Sequence, residues 1–365
     1  MLLGPVFVVL GLTGSIIAFR PELDEWLNAS EMRVEAPFEP SAYASLDRLA
    51  AAAREAIPPD ATPYAFVFPR TPGSAFWVTY SLPAPTPLNP KQVEWHQVFL
   101  HPATAAVLGQ RLMLDLGRPW RGPVVNVAQS IHRTLALGPY SPLVLGVLAI
   151  LLMLSLVTGL VLWWPRPGRW RSAVTRLESG RGQLALNLHN LVGAWSSVVL
   201  LVVLFAGIHL VQPRWIRSLI HVGFTTTSPP AGAASTPGGV PLGFDQAAAM
   251  AQAHYPDGRM WMIQYPQGPT GIYRVFRPSP HELTRILPSR QVWLDQYTGA
   301  VLYEFGPHTY TWGDRIEQTL YPLHSGEALG LPGRLVVSLS GVVPLLLLVT
   351  GCMRWWQKRR ARVHP

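Results

Sequence analysis

A histidine in or beside a lipid-facing stretch is costly to bury and counts as a functional candidate by default. Four of the eleven histidines of this chain have that position: His132, His189, His209 and His324. Two of them sit in a repeated frame. His132, Thr158, Gly159, Trp163 and Trp164 recur as His324, Thr350, Gly351, Trp355 and Trp356, every member displaced by 192 residues. The surrounding strings agree, LVTGLVLWW at 156–164 against LVTGCMRWW at 348–356, and VFLHPATAAVL at 98–108 matches VWLDQYTGAVL at 292–302. Two halves entering a bilayer in the same sense are related by a pseudo-two-fold axis along the membrane normal, which sets equivalent residues at one depth. His132 and His324 are therefore expected to face each other. One imidazole on each face of an iron is what bis-histidine haem ligation requires. A duplication would equally copy a polar helix cap twice, and that reading stands beside the first.

His189 and His209 lie on one apolar helix, twenty residues apart, which is ~30 Å along the axis and ~200° around it. They cannot serve one haem. His189 is a separate ligand candidate at the inner end, and the displacement of 192 puts its mate just before Met1. A start upstream of Met1 would supply that ligand and make two haems; a start at Met1 leaves one. His209 corresponds to Ile17, so it is either a substitute outer ligand or a polar group on the substrate side. The single cysteine, Cys352, excludes a Cys-ligated zinc site, an internal disulfide and an iron–sulfur cluster built by one chain. His96, His101, His221, His254, His281, His308 and His364 lack metal-ligand spacing and are read as surface or loop residues. No Gly-rich dinucleotide fingerprint, Walker motif or nucleophile elbow is present, so neither NAD nor ATP is expected on this chain.

The elements that must position these histidines are legible from composition. Only 13% of the 365 residues are charged, about half the usual ~25%. Apolar stretches at 1–19, 143–164, 185–211 and 335–356 are each near the ~20 residues of a spanning helix. They separate two soluble blocks, 20–142 and 212–334, from a loop at 165–184 and a tail at 357–365. The net charge of +9 gathers in that loop (Arg166, Arg169, Arg171, Arg176, Arg181) and that tail (Lys358, Arg359, Arg360, Arg362). This is a positive-inside pattern, not a nucleic-acid surface. Both termini are then cytoplasmic and both soluble blocks lie on the far side. Each block reads as a helix (46–57; 244–254) followed by short strands (64–68, 75–80, 97–100; 260–265, 272–276, 291–295), which predicts a helix packed on an antiparallel sheet. Pro139 and Pro142 are expected to end the helix that carries His132.

The hairpin WLDQYTGAVL after a helix and strands resembles a PepSY module. GLTGSIIAFRPELDEWLN at 11–28, LHN with Gly193, and the paired TG and WW helix ends resemble the PepSY-associated transmembrane family of bacterial inner-membrane proteins. The resemblance covers nearly the whole chain and departs at His101 and Ala105, where Asp and Gly are expected. It implies four transmembrane helices with two periplasmic α+β modules, haem b (one or two) on His132, His324, His189 or His209, and electron delivery to a ferric siderophore from an unspecified membrane or cytoplasmic donor. Reduction to Fe(II) would release iron from hard-oxygen chelators. The rival from another class is a binding or accessory protein without haem, in which the repeated histidines are polar packing. A metal-ion transporter is disfavoured by the scarcity of intramembrane carboxylates.

Overall fold

The computed structural model describes residues 3–35, 37–85, 92–115, 118, 120–164, 181–284 and 286–363. Its helices are α1 (Gly4–Ile17), α2 (Arg20–Leu27), α3 (Ala29–Met32), α4 (Leu46–Glu55), α5 (Val124–Thr134), α6 (Ser141–Trp163), α7 (Arg181–Val211), α8 (Pro213–Ile220), α9 (Phe244–His254), α10 (Trp312–Ser325), α11 (Gly330–Ser340) and α12 (Val343–Val363). Two compact units divide the chain. One comprises Met1–Arg20, Ala128–Leu219 and Thr319–Pro365, the other Pro21–Val127 and Ile220–Gln318.

The first unit holds the apolar helices. Among the described residues, Gly138–Trp163, Leu184–Val211 and Glu327–Arg360 are long and apolar enough to cross a membrane. A fourth span exists if α1 and α2 together count as one bent span. The predicted stretch 335–356 is thus not one straight rod, since α11 ends at Ser340 and α12 starts at Val343. Small residues explain how α1 can lie against this break. Ser15 Oγ donates to Ser338 O at 2.6 Å, Ser338 Oγ donates to Ser15 O at 3.1 Å, and the backbones of Gly11 and Gly341 touch. Without water to drive association, close backbone approach and interhelical hydrogen bonds hold such crossings. Arg166, Arg169, Arg171 and Arg176 lie outside the described residues.

The second unit contains eight antiparallel strands: β1 (Thr62–Val67), β2 (Phe76–Pro83), β3 (Val93–Leu100), β4 (Val107–Asp115), β5 (Met262–Gln264), β6 (Ile272–Phe276), β7 (Gln291–Asp295) and β8 (Val301–Phe305). Sequence reading placed them in two modules. In the structure they form one sheet, ordered β4-β3-β2-β1-β5-β6-β7-β8, because β1 and β5 pair through Ala65–Gln264, Phe66–Ile263 and Val67–Met262. Each half supplies the partner that the other half's open edge needs. The helices join as well. α4 buries Leu46, Leu49 and Ala53, α9 buries Phe244, Ala247 and Ala251, and both faces enter one core with Phe66, Val78, Ile263 and Val292. Their N-termini cap each other: Asp47 Oδ1 accepts Phe244 N at 2.6 Å, while Asp245 Oδ1 accepts Leu46 N at 2.8 Å. A carboxylate at a helix N-terminus satisfies orphan amides and suits the dipole.

The hairpin after β7 shows why Asp belongs there. Asp295 Oδ1 accepts Tyr297 N (2.8 Å) and Thr298 N (2.9 Å), Oδ2 accepts Thr236 N (3.0 Å), and Gly299 takes φ 71°. In the first half His101 substitutes as acceptor, its Nδ1 receiving Ala103 N and Thr104 N at 3.3 Å, and Ala105 adopts the left-handed φ of 61° itself. The amide of Thr298, with those of Tyr297 and Thr236, holds the Asp295 carboxyl below its ordinary value. A depressed folded pKa contributes stability that is complete above the ordinary carboxylate range and fades as pH falls through it toward the folded value. Asp295→Asn turns an N–H toward Thr236 N–H, so thermal unfolding should report a loss of about 1–3 kcal/mol at pH 7. The variant's melting temperature should also fall less steeply with acidification than the wild type's.

Candidate functional site

His132 rides on the last turn of α5, and the chain then reverses through Leu135 (φ 46°) and Ala136 (φ 57°) before α6 begins at Ser141. Left-handed non-glycine residues cost of order 1–3 kcal/mol each and persist where surrounding structure dictates them. His324 rides near the end of α10, before a turn at Gly326 (φ 81°). Both rings are drawn onto apolar helices of the same unit. His132 Nδ1 lies 2.9 Å from Leu10 O and 3.2 Å from Thr13 Oγ1 on α1; His324 Nδ1 lies 2.8 Å from Val203 O on α7. A carbonyl oxygen only accepts, so each Nδ1 carries the proton and donates it. The Thr13 hydroxyl proton goes to Val9 O at 2.7 Å, so Thr13 is an acceptor too. Each Nε2 therefore keeps its lone pair.

The two rings meet. Their centroids are 6.1 Å apart with 55° between planes, and among the described residues neither Nε2 takes a hydrogen bond. Glycine makes room behind each ring. A Cβ on Gly14 would stand 3.0 Å from His132 Cε1, and one on Gly207 would stand 2.9 Å from His324 Cε1. Two imidazole–metal bonds of about 2 Å each, with the ring radii added, span a separation of this size. Carbonyl-anchored Nδ1–H groups with opposed Nε2 lone pairs are the arrangement of a ligand pair whose outer partners orient it. No cluster of three or more His, Cys, Asp or Glu side chains that could hold a bare ion occurs among the described residues. The donor set fits an iron whose remaining ligands come from a macrocycle.

The family model described as PepSY-associated TM region matches residues 1–358. The chain belongs to this family. Among curated proteins none matches it.

Elsewhere in this PepSY-associated TM chain, His189 has a comparable seat. Its Nδ1 is 3.0 Å from Thr350 Oγ1, and the Thr350 hydroxyl donates to Leu346 O at 2.7 Å. Having one proton, the hydroxyl must accept from the ring, which again leaves Nε2 as the lone-pair nitrogen. Gly351 stands beside His189 Cε1. A Thr–Gly step thus seats His132 (Thr13, Gly14) and His189 (Thr350, Gly351). The step Thr158–Gly159 on α6 has no described atom within 4 Å of a Cβ at Gly159. His209 is buried on α7, two residues past Gly207.

The remaining histidines have local partners or open positions. His96 contacts Glu94 at 3.3 Å, His221 contacts Thr226 at 2.8 Å, His254 contacts Glu304 at 2.5 Å, and His101 serves its turn. His281 and His308 are surface or part-buried loop residues, and His364 lies outside the described residues. Sequence reading missed the ring seats, Leu10, Thr13, Gly14, Val203, Gly207 and Thr350. Gly207 follows Gly14 by 193 residues, close to the displacement of the histidines, and that is the signal through which the glycines were findable.

Proposed function

We propose that this chain is a haem b membrane oxidoreductase of the bacterial inner membrane that delivers electrons to a periplasmic acceptor of the ferric-siderophore class. The observation that carries the reading is the opposed imidazole pair His132–His324, each ring pinned through Nδ1 and open at Nε2. These two histidines would be the axial ligands. Haem bound there would supply a one-electron couple whose potential depends on axial ligand and burial. Leu10 and Val203 orient the rings through their carbonyls, Gly14 and Gly207 let the rings sit against the helices, and the apolar helices keep water from the pair. His189, held by Thr350 at the other end of α7, is the proposed ligand of a second haem.

We read the chain as a tandem duplication, supported by matched ring seats at Gly14 and Gly207 and by reciprocal Asp47 and Asp245 caps. Lys358, Arg359 and Arg360 after the apolar part of α12 support a cytoplasmic C-terminus, which sets the eight-stranded sheet on the periplasmic side. The choice of siderophore iron follows from family membership, and the acceptor's hard-oxygen donors favour Fe(III) over Fe(II), so reduction would loosen them.

The test is absorbance of detergent-purified chain produced with haem available. A Soret band that shifts on dithionite, and a dithionite-reduced sample that is reoxidised by added ferric hydroxamate, are expected. A well-folded preparation that stays colourless after haem addition would sink this function and leave the accessory role.

A further inference from the structure

The two halves match at their ligand seats but not in charge. Arg20 donates to Gln129, one turn before His132 on α5. Arg334 donates through Nε (3.0 Å) and Nη2 (2.8 Å) to Ala18 O, one turn beyond Gly14, and lies 4.5 Å over the Phe19 ring. Arg133 follows His132 directly. Tyr321, one turn before His324, lies in the field of all three guanidinium groups and of one carboxylate, Glu327. Three cations against one anion thus gather within about a turn of the imidazole pair. The positions 192 residues from Arg20 and Arg334 are Gln212 and Pro142, so the cationic group lies on one side of an otherwise matched site. Symmetric ligation by two histidines does not call for this asymmetry. Arginines beside apolar helices are costly without an anionic or polar partner, and the guanidinium fork suits carboxylate. The tetrapyrrole has the matching asymmetry, since its carboxylates share one edge.

We propose that Arg20 and Arg334, assisted by Arg133, bind the propionate carboxylates of the haem held between His132 and His324, fixing which way its acidic edge points. This assignment rests on the haem reading above. Gln129 and Tyr321 are positioning residues in it: Gln129 accepts from Arg20, and the Tyr321 phenol faces the same guanidinium groups.

The experiment titrates the full-length, haem-depleted chain in detergent with protohaem and, separately, with protohaem dimethyl ester, whose propionates are masked. Soret absorbance per protein is the readout. Wild-type chain should retain protohaem about tenfold or more tightly than the ester, and R20Q/R334Q should lose most of that preference while keeping a bis-histidine spectrum. Equal retention of the two porphyrins by the wild type overturns the propionate assignment alone, and is the result expected if the arginines serve an anionic acceptor. A preference that survives in R20Q/R334Q overturns the choice of arginines. Failure to bind either porphyrin overturns the haem reading itself. The wild-type comparison needs no variant, so a double variant that does not fold leaves the proposal open to refutation.

Discussion

His324→Ala is expected to abolish stable haem retention at the outer site, and His132→Ala to do the same. Each change removes one of two axial ligands, and no other described side chain is placed to replace it through the same Nδ1-anchored geometry. Loss of a partner outside the ligand sphere commonly costs ~10–100-fold in metal affinity, and loss of the ligand itself should exceed that. The informative contrast is Gly207→Ala. Its Cβ would sit 2.9 Å from His324 Cε1 and 3.1 Å from Nδ1, closer than ordinary packing permits. The ring must shift while the ligand atom stays present. This variant should retain haem with a displaced Soret maximum and a changed midpoint potential, intermediate between wild type and His324→Ala. Under the accessory reading the histidines are polar packing: all three variants would then be colourless like the wild type and differ only in melting temperature. If His189 holds a second haem, the two alanine variants should keep about half the wild-type Soret absorbance, and adding His189→Ala should remove the rest.

The ligand pair was legible because duplication converts sequence displacement into spatial opposition: two histidines at one displacement, on helices entering the bilayer in the same sense, must meet near the axis. Soluble helices and strands were legible for a more local reason. Phe244–His254 has alanine-rich helical spacing, and Val292–Asp295 ends at an Asp whose turn amides require an acceptor. The pairing of β1 with β5 was not legible, because nothing in either strand's own pattern says which edge it completes; that information lies in the matching of Ala65, Phe66 and Val67 to Gln264, Ile263 and Met262 across nearly two hundred residues. The ring seats were hidden for a different reason. A Thr–Gly step in an apolar helix reads as small-residue packing until a histidine from elsewhere stands on it. The break between α11 and α12 was likewise invisible to hydropathy, which averages over Gly341 without registering that its backbone is in contact with Gly11.

That contact should make Gly341→Leu the most disruptive single change among the apolar helices. A Cβ at Gly341 would overlap Ser15 Oγ and the carbonyl oxygen of Gly11, and one at Gly11 would overlap the carbonyl of Gly341. Backbone atoms cannot swing aside as a side-chain tip can, so relief requires α1 to move away from α11. Overpacking of side chains alone typically costs ~1–3 kcal/mol, and the backbone obstruction places Gly341→Leu at or above the top of that range. Ser338→Ala provides the scale for the polar part of the same crossing. It removes the hydrogen bond to Ser15 O and keeps the small side chain, and interhelical hydrogen bonds within membranes average only ~0.6 kcal/mol. Thermal unfolding in detergent should therefore rank Gly341→Leu far below wild type and Ser338→Ala just below it. The reverse order would mean that the reciprocal serine bonds, not the glycine approach, hold α1 in place. Because α1 also supplies Leu10, Thr13 and Gly14 to the His132 ring, the steric variant should lower haem retention along with stability, whereas Ser338→Ala should leave the Soret band at its wild-type position.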